Sequence, residues 1–120
     1  MSRIQLLWGC LLLTLTAACR HESDLNNVPI VHFGTEIQAI LSGNCTMSGC
    51  HDGHGEFSLV GYDNVISNGG VKAYNAHGSK LYNSVTGREW EIMPPSSYPA
   101  LTNKQLQQIY VWIEQGALDN

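Results

Sequence analysis

Apolar and polar positions divide this chain into distinct stretches. Ile4 to Leu15 is an almost unbroken apolar run, preceded by Arg3 and followed by the small residues Ala17-Ala18. From Arg20 to Pro29 polar residues dominate without periodicity, the pattern of a flexible tether. Helical spacing begins after it. Ile37, Ile40 and Leu41 share a face over residues 35–42, where Thr35 and Gln38 have capping-box spacing and Gly43-Asn44 interrupts the pattern. A helical turn is expected at 62–67. Leu81 and Val85 mark a further short helix at 79–86, with Ser79 placed to cap it and Gly87 to close it. The clearest element is the last: Thr102 and Gln105 repeat the capping-box spacing, Leu106, Ile109, Tyr110 and Ile113 form an apolar stripe, and Gly116 ends it. The segments between are rich in Gly and polar residues, and none has the alternation of a strand. The pattern predicts an all-α domain of short helices and loops over residues 31–120.

The apolar run at the start is shorter than the roughly 20 residues that a membrane span needs. With its basic start and small-residue end it reads as an export signal over residues 1–18. Cys19 directly after Leu15-Thr16-Ala17-Ala18 resembles the bacterial lipoprotein signal, although an aliphatic residue is usual where Thr16 stands. That resemblance implies cleavage before Cys19, lipid on its sulfur, and a tether over 19–30 that holds an exported domain at a membrane.

Composition then raises a question. The chain has 120 residues and a formal net charge of -4 with no run of either sign, which allows one modest domain and leaves no footprint for nucleic acid. Beyond the signal, Phe33 and Phe57 are the only phenylalanines, and glycine is frequent. So thin a core usually requires a disulfide, a metal or a cofactor as a staple.

The segment Cys45-Thr46-Met47-Ser48-Gly49-Cys50-His51 supplies one. Two thiols followed directly by a histidine suit covalent haem attachment: each Cys forms a thioether to one vinyl group, and tether length alone holds the adjacent imidazole under the iron. These residues resemble the c-type cytochromes, whose usual motif is Cys-x-x-Cys-His, in a longer Cys-x4-Cys-His form. Ser48-Gly49 are small and flexible enough for the longer segment to bulge.

In the common small members of that family the second axial ligand is a downstream Met, often followed by Pro, and Met93-Pro94-Pro95 looks like that element. Pro94 independently disfavours a helical Met93 and points to an extended loop. The resemblance implies a small cytochrome c-like domain with one haem c, His51 and Met93 as axial ligands, and single-electron transfer between redox partner proteins rather than an enzymatic reaction. In the family the terminal helices pack together beside the haem, and Ile37, Ile40, Leu106, Ile109 and Ile113 look like that contact. Arg88, Lys80, Tyr74 and Trp90 are candidates to meet the haem propionates or wall the pocket.

Other readings of the same residues stand beside this one. A Cys45-Cys50 disulfide would make the chain a non-haem lipoprotein acting as a binding or structural module, but leaves His51 and the thin core without a role. Zinc held by Cys45, Cys50, His51 and His54 would require adjacent residues to converge on one tetrahedral ion. A haem peroxidase would need an open iron position, which Met93 would fill. His54 and His77 are the fallback distal ligands should Met93 not serve, and His21 and His32 read as solvated loop residues.

Overall fold

The structure, a computed structural model, describes residues 23–120. The proposed signal over 1–18 and Cys19 lie outside the described residues. A π-helical turn, Phe33–Ile37, runs directly into α1 (Gln38–Asn44); α2 (Tyr62–Asn68), a 3-10 turn (Ala76–Gly78), α3 (Lys80–Val85) and α4 (Asn103–Glu114) follow. Among the described residues there is no strand, so the domain is all-α as expected. Nor is any helix among them long and apolar enough to cross a membrane.

The first helix departs from expectation at its start. Its opening turn is wide: Gln38 N–H donates to the Phe33 carbonyl and Ile37 N–H to that of His32. Thr35 therefore lies inside the helix, and the Thr35–Gln38 capping box does not form. Glu36 does that work, accepting from His32 N–H at 2.8 Å and from Gln108 Nε2 at 2.9 Å. The His32 amide, then Gln108, hold its carboxyl below the usual carboxylate range. The Gln38 side-chain Oε1 turns away to accept from Gly61 N–H, at the start of α2.

Ser79 departs likewise. It occupies the cap position of α3 but makes no cap bond, because its hydroxyl is buried between the Lys72 amide and the Asn75 carbonyl and closes the loop joining them. Gly87 behaves as expected: at φ +72° it lets Arg88 N–H return to the Asn83 carbonyl, a Schellman closure. Helix α4 carries the complete Thr102–Gln105 capping box and ends through Gly116, at φ +106°, with Ala117 N–H on the Trp112 carbonyl.

The core gathers Ile37, Leu41, Val65, Ile109, Trp112 and Ile113, all fully buried. Of the expected stripe on α4, Ile109 and Ile113 are buried and Leu106 and Tyr110 half-buried, and the helix buries Val111 and Trp112 besides. Phe33 packs edge-on to Tyr62 and tilted against Trp112, at centroid distances of 5.2 and 5.6 Å, so the wide turn and α4 meet across aromatic rings. Trp112 Nε1 donates to the Leu118 carbonyl. Within the stretch read as a tether, Leu25 packs against this core and the Ser23 hydroxyl bonds to that of Tyr110. Leu25 is the one large apolar residue between Arg20 and Asn27, and burying it draws the chain onto the domain ahead of residue 31.

Candidate functional site

Helix α1 delivers Cys45. Its N–H donates to the Leu41 carbonyl, so the residue continues the helical path and its side chain turns into the core, 8% exposed. The chain then makes a tight turn in which Cys50 N–H donates to the Met47 carbonyl with Gly49 at φ +82°. Ser48 and Gly49 are the two central residues of that turn, and a positive φ at the second is what glycine accommodates. The extra length of the motif is thereby taken up within four residues, Met47 to Cys50, and His51 N–H closes the segment on the Cys45 carbonyl at 3.0 Å.

After His51 the chain folds back until Leu59 N–H meets the His51 carbonyl. This return places Phe57 against the imidazole in two ways. The ring nitrogen Nδ1 lies 3.2 Å from the Phe57 carbonyl oxygen, and the two rings stack with centroids 4.4 Å apart. A carbonyl can only accept, so Nδ1 carries the hydrogen, and in the neutral ring Nε2 then keeps the lone pair that a metal would take.

Met93 arrives from a loop stapled to α3. Arg88 N–H and Met93 N–H donate to the carbonyls of Asn83 and Ser84, which are consecutive, and residues 89–92 span the gap. Trp90 at the tip is 97% exposed.

These segments enclose a cleft of about 450 Å³ lined by Cys45, Cys50, His51 and Met93, with Met47, Phe57, Trp90 and Tyr98 as apolar surfaces. Its size lies within the roughly 300–1,000 Å³ of small-molecule sites. A recess of about 40 Å³ shares Cys45, His51 and Met93 and reaches Leu59, Leu81 and Val85. The donor set, two thiols, an imidazole with a free nitrogen and a thioether, along mainly apolar walls, fits a covalently attached haem.

Comparison of this chain with protein-family models, curated proteins and solved structures finds no match.

Of the residues the sequence singles out, Lys80 and Trp90 also line the cleft, whereas Arg88 and Tyr74 do not. Arg88 donates to His77 Nδ1, and His77 packs against Tyr82 and Tyr110. The side chain of His54 is 88% exposed beside Asp52, and neither histidine lines the cleft. The amides of His54 and Gly49 hold the Asp52 carboxyl below its usual range, the His54 amide foremost. Among the described residues no three His, Cys, Asp or Glu side chains are grouped to hold a metal ion, and Cys45 and Cys50 are free thiols. Phe57 and the Ser84 carbonyl escaped the sequence reading; the one available signal was a large apolar residue, Phe57, inside a Gly-rich polar loop.

Burial, assisted by nearby Cys50, pushes the Cys45 thiol up from 9.0 to about 11. The fold therefore favours the protonated sulfur. Below pH 9 both folded and unfolded chains carry S–H and this stability is fully present; between 9 and 11 the unfolded chain ionises first and it drains away. The haem-free protein should lose roughly 2–3 kcal/mol across that window. Urea unfolding at both ends of the window, compared with Cys45→Ala, checks this; an equal alkaline loss in the variant would refute it.

Proposed function

We propose that this chain holds one haem c covalently through Cys45 and Cys50 and carries single electrons, with His51 and Met93 as axial ligands in a cytochrome c-like domain. The observation that carries this reading is the bond from His51 Nδ1 to the Phe57 carbonyl, which leaves Nε2 free in a cleft that also contains both thiols and the Met93 thioether. A metal-binding histidine is commonly held this way, through its second nitrogen.

Bound there, the haem would supply a one-electron iron couple. The protein's own residues do the rest. Cys45 and Cys50 would anchor the haem edge by thioethers, and the turn at Ser48-Gly49 lets the longer motif hold both sulfurs on one cleft. Phe57 fixes the tautomer and plane of His51. The staple on α3 presents Met93, and Met47 and Tyr98 add apolar surface at the mouth. Held by both His51 and Met93, the group would have no open position and a raised potential, which would suit electron transfer rather than peroxidase chemistry. Export, with lipid on Cys19 holding the domain at a membrane, belongs to the same proposal, as do redox partners with basic docking surfaces that complement the net charge of -4.

The test is a haem stain after denaturing electrophoresis, on protein matured in a host shown to process Cys-x4-Cys-His motifs. A stained band is expected for wild type and complete loss of it for Cys45→Ala/Cys50→Ala. A colourless wild-type protein from that host would end the haem reading and favour the disulfide-stapled module.

A further inference from the structure

The aromatic ring stacked on His51 carries a cation on the cleft side of the fold. Lys80 Nζ lies 5.8 Å from the centroid of Phe57, within the roughly 6 Å range over which a ring face attracts an ammonium group. Lys80 is also the sole Lys or Arg among the residues lining the cleft, against the carboxylates of Glu56, Glu89 and Glu91. Being the first residue of α3, it is held by a helix that also carries the Ser84 carbonyl under the Met93 loop.

We infer that Phe57 seats Lys80 beside His51, and that this seated charge is a positioning device that raises the iron potential. The inference rests on the haem reading above. A fixed positive charge near the iron opposes the ferric form, which bears one more positive charge than the ferrous, and the face of Phe57 keeps an otherwise exposed ammonium group from dispersing into solvent. Phe57 thus acts on His51 by its carbonyl, through the tautomer, and by its ring, through the charge it retains.

The experiment is a spectroelectrochemical titration of haem-loaded wild type, Lys80→Met, Lys80→Arg, Phe57→Leu and the Phe57→Leu/Lys80→Met pair. At fixed solution potential, Lys80→Met should raise the ferric-to-ferrous ratio roughly three- to tenfold, tenfold being about 59 mV for one electron. Lys80→Arg should stay within about twofold of wild type, since it preserves the cation on the ring. In the Phe57→Leu background, where the seat is gone, the effect of Lys80→Met should fall to less than about half. A loaded protein whose potential ignores Lys80→Met, or shifts equally in both backgrounds, would overturn this inference alone. Wild-type protein with no covalent haem would remove the functional reading and this inference with it.

Discussion

Trp112→Ala is expected to destabilise the domain by about 3–5 kcal/mol, the range for deleting a large aromatic side chain from a packed core. Trp112 is fully buried, lies against Phe33, and bonds through Nε1 to the Leu118 carbonyl. The truncation opens a cavity between α4 and the opening turn and leaves that carbonyl without its donor. A domain of this size has a total stability of roughly 5–15 kcal/mol, so the truncation should remove a large fraction of it and lower the urea midpoint of the haem-free variant markedly. Trp112→Phe, which refills most of the space but not the hydrogen bond, should fall between the two. Circular dichroism under urea measures all three. A loss below about 1 kcal/mol for Trp112→Ala would mean that α4 and the opening turn are held together by something other than this contact.

The second large effect is expected of Met93→Ala. On the haem reading, this variant keeps its covalent stain, because neither thioether is touched, but loses the sulfur-to-iron charge-transfer band of the oxidised form. The midpoint potential should fall on the order of 0.1 V, within the span of about 0.8 V over which axial ligands set haem potentials. Added imidazole or cyanide should bind readily where wild type resists it, and a slow peroxidase activity should emerge as the iron position opens. The domain itself should stay folded, since Met93 is only half-buried and its loop is fastened through backbone atoms. Unchanged charge transfer in Met93→Ala would exclude this residue as a ligand. His54 and His77 would then come back into consideration, although neither lines the cleft.

How much could be read in advance depended on how local each device is. The Thr102–Gln105 box, Gly116 behind α4 and Gly87 behind α3 act within a turn of their own residue, and each stands where spacing placed it. Thr35 with Gln38 has the same spacing, yet the wide opening turn puts Thr35 inside the helix, and Glu36 was free to reach both His32 and Gln108. The hydroxyl of Ser79 was drawn away by Lys72 and Asn75, residues that reach it only once the loop is closed. Helix α4 is covered more widely than a single stripe implies, hence the burial of Val111 and Trp112. The candidate site divides the same way. Cys45, Cys50 and His51 are neighbours in sequence and legible as a unit, and Met93 was singled out by the proline after it. The part played by Phe57 depends on the chain returning from His51 to Leu59, which no pattern of residue types announces.

The staple that presents Met93 has a consequence for how such a protein can change. Because both ends of the 88–93 loop land on adjacent carbonyls of α3, the span between them contributes nothing to where the thioether is held. Residues 89–92 make neither of the two staple bonds, so their length and aromaticity can drift, altering what the mouth of the cleft greets, while the Met93 backbone stays fastened to α3. On the haem reading, what the mouth of the cleft meets and where the Met93 backbone is fastened are thereby set by separate pieces of chain.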